Sequence, residues 1–310
     1  MIVPLLIGKA DPVVEVVPHR LFFSRLPSGD LELFCHVRLA AVSQGADFSL
    51  ALRGAGGRHV LALEQPLRDE DRQRGRASVS MVLPRDWPNS VLTVDLGNDA
   101  SQHDVRIFEQ TQDFALPLAT QVLVVGGHRI GEPHRTAFDL PSQQFGWDLV
   151  GLRPDGLALL TGELSDELRS ADFACFGQKV CAPADGTVVA VVDGMADADL
   201  LRRPVVPFDT DIRRAAGNHV IIEHGAGVHS CLAHLRRGSV AVLVGQHLSA
   251  GTVIGALGSS GNASGPHLHL HFMDGPDLAT AAPLPVELLV DGDRVAPTSG
   301  EIVAASNTPT

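Results

Sequence analysis

The chain has 310 residues, 45% hydrophobic and 19% charged, which allows a sizeable core and exceeds the usual size of one domain. Its formal net charge of -12 argues against nucleic acid or an anionic membrane as partner, because a polyanion is repelled on average. No stretch approaches the roughly 20 apolar residues of a membrane-spanning helix.

The opening 17 residues lack a basic segment followed by a long apolar run, and Asp11 interrupts early, so they do not read as a signal peptide. Residues 1–115 read as short strands separated by turn signals: Leu31-Glu-Leu-Phe-Cys-His-Val-Arg-Leu39, Phe48-Ser-Leu-Ala-Leu52, Ser78-Val-Ser-Met-Val-Leu83 and Val91-Leu-Thr-Val-Asp-Leu96. Several alternate apolar and polar residues, as half-buried strands do, and their spacing predicts a β-sandwich-like N-terminal domain. Its His19, His36, His59 and His103 are dispersed and read as surface or structural groups. The sequence does not choose among substrate recognition, occlusion of a cleft and simple support as this domain's role.

Gln110-Thr-Gln-Asp-Phe-Ala-Leu-Pro117 reads as a linker into a new strand, Gln121-Val-Leu-Val-Val125. A second domain is predicted over 116–303, with a disordered tail at 304–310 rich in Ser, Asn, Thr and Pro. Ten of the fourteen histidines fall between His128 and His271. The four cysteines show no CxxC pair, so a thiolate zinc site is not indicated. Cys175 and Cys181 read either as buried thiols or as a local bridge in an oxidising compartment.

The most informative stretch is Gly258-Ser-Ser-Gly-Asn-Ala-Ser-Gly-Pro-His-Leu-His-Leu-His-Phe272. A Gly/Ser-rich loop leads into a strand where His267, His269 and His271 alternate with Leu268, Leu270 and Phe272. Residues two apart project from one strand face, so three imidazoles line one side while three apolar groups anchor the other. Neutral imidazole is a good zinc ligand, and a strand fixes neighbouring rings at reproducible separation. Upstream, Asn218-His-Val-Ile-Ile-Glu-His-Gly-Ala-Gly-Val-His-Ser-Cys-Leu-Ala-His-Leu235 reads as two strands joined by a Gly-containing turn, with His234 near the end of the second.

Six segments then occur in an order that resembles lysostaphin-like zinc metalloendopeptidases: Ala182-Pro-Ala-Asp-Gly-Thr-Val-Val189, Gly217-Asn-His-Val-Ile-Ile-Glu-His-Gly225, Leu232-Ala-His-Leu235, Val244-Gly-Gln, Ile254-Gly-Ala-Leu-Gly258 and Gly265-Pro-His-Leu-His269. The resemblance covers roughly residues 175–275. Frequent Gly and Pro and scarce helical patterns already favour a mainly β protein, and the resemblance implies a small antiparallel sheet carrying one zinc ion held by two histidines and one aspartate. It implies His269 as a ligand, with His267 and His234 as metal-free catalytic groups. The other ligands are expected from an upstream His and Asp. Two aspartates compete: Asp139, in His134-Arg-Thr-Ala-Phe-Asp139, and Asp148, in Gln143-Gln-Phe-Gly-Trp-Asp148. The second resembles a branch of the family with a Gln-x-Phe-Ala-x-Asp segment and a more distant ligand His. His134 and Asp148 are therefore assigned as ligands, with His128 in reserve for the upstream His. His271 stands where relatives often carry Glu, and reads either as a support for the neighbouring ligand or as a bystander.

The implied activity is hydrolysis of peptide bonds, in peptidoglycan stem or cross-bridge peptides, by attack of zinc-bound water. Either of His234 and His267 can handle the proton while the other bonds the developing oxyanion. The resemblance implies a periplasmic or extracellular setting, against the absence of a readable signal peptide. Some relatives have lost ligands and act as inactive modules that bind the cell wall or activate another wall hydrolase, which is the competing reading. Biotin- or lipoyl-like carriers share Gly-rich hairpins but need a lysine at a hairpin tip, and Lys9 and Lys179 sit in no such turn.

Overall fold

A computed structural model describes residues 14–26, 28–39, 48–57, 60–65, 71, 73, 75–95, 100–128, 131–132, 134–135, 140–160, 168–198 and 212–304. The expected Asp139 site, and residues 305–310 of the expected disordered tail, lie outside the described residues. The chain divides into two compact units, residues 1–108 and 109–310. Strands dominate both, as the alternating patterns predict.

The first unit contains β1 (Val14–Val17), β2 (Leu21–Arg25), β3 (Leu31–Leu39), β4 (Phe48–Gly54), β5 (Val60–Gln65), β6 (Arg76–Leu83), β7 (Ser90–Asp95) and β8 (Ala100–Ile107). Strand β3 pairs with β1 and β6, while β4 pairs with β5 and β7, and β7 with β8. Strand β2 joins the two groups, antiparallel to β3 at Ser24–Arg25 and parallel to β8 at Leu21–Phe23. Alternate residues from both groups share one core, including Leu31, Leu33, Cys35 and Val37 of β3, Leu50 and Leu52 of β4, and Leu92 and Val94 of β7. The period-two pattern accounts for this: one face of each strand is apolar and has to be covered.

The second unit contains β9 (Val122–Gly126), β10 (Trp147–Gly151), β11 (Lys179–Cys181), β12 (Gly186–Val192), β13 (Asn218–Glu223), β14 (His229–Leu235), β15 (His247–Leu248), β16 (Val253–Ala256), β17 (Leu268–Met273), β18 (Leu288–Val290), β19 (Asp293–Val295) and β20 (Ile302–Val303). Among the described residues eight of them form one antiparallel sheet in the order β15-β12-β13-β14-β17-β10-β9-β20. Phe114, in the predicted linker, is buried within this unit against Phe272, with ring centroids 4.6 Å apart. Every residue of β14 and β17 is buried. One side of these strands carries Leu232, Leu268, Leu270 and Phe272. On the other, Ile221, Cys231, Ala233 and Met273 pack with Leu278 and Ala281. Among the described residues the imidazole-bearing face is covered at one end by Leu278 and Ala281, and a cavity opens beside the histidines.

All four cysteines are free thiols in the structure. Burial pushes Cys175 up to about 11 and Cys231 up to about 12. No helix among the described residues is long and apolar enough to cross a membrane.

Candidate metal centre

The site is built where β10, β17 and the end of β14 lie side by side. Asp148 of β10 is the direct cross-strand partner of His269 in β17, which in turn faces Ala233 in β14. Such partners on one face have Cβ atoms about 5 Å apart, close enough for short polar side chains to meet. Asp148 Oδ1 lies 3.0 Å from His269 Nδ1, and Asp148 Oδ2 lies 2.8 Å from His134 Nε2. The His134 and His269 ring centroids are 4.5 Å apart. One donor atom from each of the three residues falls within 4.8 Å of the others.

Two glycines make this approach possible. A Cβ at Gly146 would stand 2.9 Å from His269 Cε1, and one at Gly126 would stand 3.1 Å from Asp148 Oδ2. A Cβ at Gly146 would also stand 2.9 Å from the Gln143 carbonyl, so a larger residue there has to displace the turn or the His269 ring.

His234 enters by a different route. Alternation along β14 would send it to the face opposite Ala233. However, the register against β13 slips by one residue here: Val220 pairs with Leu232, and Asn218 with Leu235. His234 takes up the extra residue at φ 61°, a left-handed conformation uncommon for a side chain of this size. Bulges of this kind re-aim a side chain. The His234 ring stands 4.7 Å from that of His267 and 5.9 Å from that of His269, centroid to centroid. Its Nδ1 bonds the Ser260 carbonyl at 2.8 Å, and His267 Nδ1 bonds the Gly265 carbonyl at 2.8 Å. A nitrogen facing a carbonyl carries the proton, so a neutral His234 presents Nε2 as an acceptor. His267 Nε2 lies 3.4 Å from Asp148 Oδ1.

The charges follow from these neighbours. Burial alone would raise the Asp148 carboxyl, but the His134 and His267 imidazoles hold it well below the usual carboxylate range. Burial lowers His269 to about 4, with His134 adding to the effect. Burial, then His267, holds His234 well below its ordinary value. For His267 burial also works downward, yet the Asp148 charge outweighs it and the net direction is up.

The residues present fit a divalent metal such as zinc. Two imidazoles and a carboxylate are a recognised zinc donor set, and three protein ligands leave a position for solvent. Tetrahedral bonds of 2.0–2.1 Å set ligand atoms about 3.3 Å apart. The 2.8 and 3.0 Å separations are slightly shorter, as hydrogen-bonded donors should be. His128 is not in this cluster. It is buried against Trp147, stacked at 3.9 Å between centroids, and burial lowers it to about 3. His271 is buried beside His269 on the covered side, with Nδ1 2.9 Å from His269 Nε2. A cavity of about 90 Å³ opens at the site, with Leu140, Ser142, Gln143, Ala215, Ala216 and Leu278 around the imidazoles.

The second unit is thus an antiparallel sheet that carries a histidine–aspartate cluster suited to a metal ion. Residues 168–280 match the model of Peptidase family M23, so this segment is of the lysostaphin-like type that the sequence motifs resemble. The matched segment contains His234, His267, His269 and His271, whereas His134 and Asp148 lie upstream of it. Among solved structures, the chain is similar to the catalytic domain, in a mutant form, of the prophage-encoded M23 protein EnpA from Enterococcus faecalis, with 17% identity, 55% of this chain and 94% of that one covered, and a TM-score of 0.34. It is also similar to the catalytic domain of the antimicrobial peptidase lysostaphin from Staphylococcus simulans, with 18% identity, 53% and 88% covered and a TM-score of 0.29. A zinc-containing peptidase from Vibrio cholerae is 14% identical, with 86% of each chain covered and a TM-score of 0.32. No curated protein matches the sequence.

Proposed function

We propose that this chain is a zinc-dependent endopeptidase acting on peptidoglycan stem or cross-bridge peptides, with His134, Asp148 and His269 as ligands and His234 and His267 as catalytic groups. The observation that carries this reading is the convergence of three donor atoms within 4.8 Å beside two further imidazoles whose Nδ1 atoms are engaged by backbone carbonyls. A zinc ion held there supplies Lewis acidity for activating water and polarising a peptide carbonyl. His234 and His267 do the proton work. Each can accept a proton at Nε2, and once protonated can donate from it, so the pair provides one base and one oxyanion donor. Leu140, Ala215, Ala216 and Leu278 line the cavity and give a bound peptide an apolar wall.

On this reading residues 116–303 form the catalytic domain and 1–115 a separate N-terminal domain. A wall peptide as substrate puts the site of action outside the cytoplasmic membrane. Three candidate donors in one cluster speak for the active reading over the inactive module.

The test is digestion of purified cell-wall sacculi, followed by release of new amino termini. The native chain should release them, and chelation should stop it. His234→Ala and His267→Ala should keep their zinc and lose about 10²–10⁴-fold in rate, the usual weight of a general acid–base group. Zinc-replete protein that released none from sacculi or wall peptides would overturn the enzyme reading and favour a binding module.

A further inference from the structure

His269 is gripped at both ring nitrogens. Nδ1 faces Asp148 Oδ1 at 3.0 Å, and Nε2 faces His271 Nδ1 at 2.9 Å. The two imidazoles are alternate residues of β17, both buried, with ring centroids 5.0 Å apart. Cys231 lies directly across from His271 on β14, and Ala233 across from His269. The two rings are tilted 57° to each other. The outer nitrogen of His271, Nε2, is buried without a hydrogen-bond partner among the described residues. Buried polar atoms are nearly always satisfied, and an imidazole retained for packing alone gains nothing from an orphaned nitrogen. The bond that His271 does make is the one to His269.

From this geometry we infer that His271 is a positioning residue for the metal centre. Without metal, His269 donates from Nδ1 to Asp148 and accepts at Nε2 from His271. When a metal takes Nδ1, the His269 proton moves to Nε2, where His271 Nδ1 accepts it and so fixes His269 as a ligand through Nδ1. The inference rests on the ligand reading proposed above. A neutral imidazole that gives Nδ1 to a metal carries its one proton on Nε2, and that proton needs a buried acceptor. In this chain the acceptor is a second imidazole, a neutral group. His269 thus keeps its orientation and tautomer without a second anion beside Asp148. Of the two roles open to His271 in the sequence, support for the ligand is the one the contacts favour.

The test separates the acceptor from the space it fills. His271→Asn keeps an oxygen acceptor close to the Nδ1 position, whereas His271→Leu has nearly the same shape and no acceptor. Both open a similar cavity, so a packing role would move them together. Zinc affinity is measured by competition with a coloured chelator, and the absorption spectrum of the cobalt-loaded protein reports ligand geometry. The Leu variant should lose about 10–100-fold in zinc affinity, as loss of an outer partner typically does. The Asn variant should stay within a few-fold of the native chain and keep its cobalt spectrum. Equal affinities in the two variants would overturn the inference while leaving the ligand assignment intact. A native chain that binds no zinc would overturn the ligand assignment itself, and this inference with it.

Discussion

His128 and His134 stand six residues apart, yet only His134 brings a nitrogen to the donor cluster. His128 lies flat on Trp147 with Phe145 at its edge, and Trp147 is itself anchored through its indole N–H to the Pro297 carbonyl at 3.0 Å. Burial makes the charged form of His128 expensive and brings its pKa to about 3, against an ordinary value of 6.5. This has a consequence for acid stability. Between those two values the unfolded chain binds a proton that the folded chain does not, so stability is fully present above about pH 6.5 and falls as the pH drops toward 3. The slope from one such group is about 1.4 kcal/mol per pH unit. His128→Phe keeps the stacking ring and removes the titration. With chelator present throughout, its urea midpoint should fall less between pH 6.5 and 4 than that of the native chain; parallel declines would contradict the assignment.

Strand alternation was readable in the sequence wherever a face is half-buried. Leu31–Leu39 appears as β3 with the bounds the pattern suggests, and Asn218–Leu235 folds as the expected pair of strands. The stretch from His267 to His271 was equally legible because period two requires its imidazoles to share a face. What alternation cannot express is an irregularity. The bulge that turns His234 toward His267 breaks the period, and its cause is a network formed by residues distant in sequence. Ser260 Oγ donates to the Leu235 carbonyl at 2.8 Å and accepts from the Asn218 N–H at 2.9 Å, while Asn218 Nδ2 donates to the same carbonyl. The clearance at Gly146 was invisible for a similar reason, since a glycine before Trp147 could equally have marked a turn. Two substitutions test this level. Ser260→Ala leaves the buried Asn218 N–H unsatisfied and should cost about 1–3 kcal/mol in unfolding free energy, with a larger loss in turnover than in zinc content. Gly146→Ala brings a Cβ to 2.9 Å from both the Gln143 carbonyl and His269 Cε1 and should lower zinc affinity. A Gly146→Ala chain with native zinc affinity would show that the ligand ring has slack the geometry denies.

Across the second unit, the centre draws on stretches separated by more than 130 positions: His134 in a loop, Asp148 in β10, His234 at the end of β14, and His267 to His271 at and in β17. No local motif holds all of these residues, and for that reason Asp139 and Asp148 competed on the sequence alone. Sheet order decides which strands are neighbours, and β10 beside β17 is what joins Asp148 to His269. A metal that binds only the folded arrangement also stabilises it by mass action, so zinc should raise the unfolding temperature of the intact unit. The most direct measurement is zinc stoichiometry by elemental analysis after equilibration against a weak chelator, on the native chain and on His134→Ala, Asp148→Ala, His269→Ala and His128→Phe. One zinc per chain is expected for the native protein and His128→Phe, and a large loss in each of the other three. Native stoichiometry in any of those three, or retention of no zinc by the native chain, would contradict it.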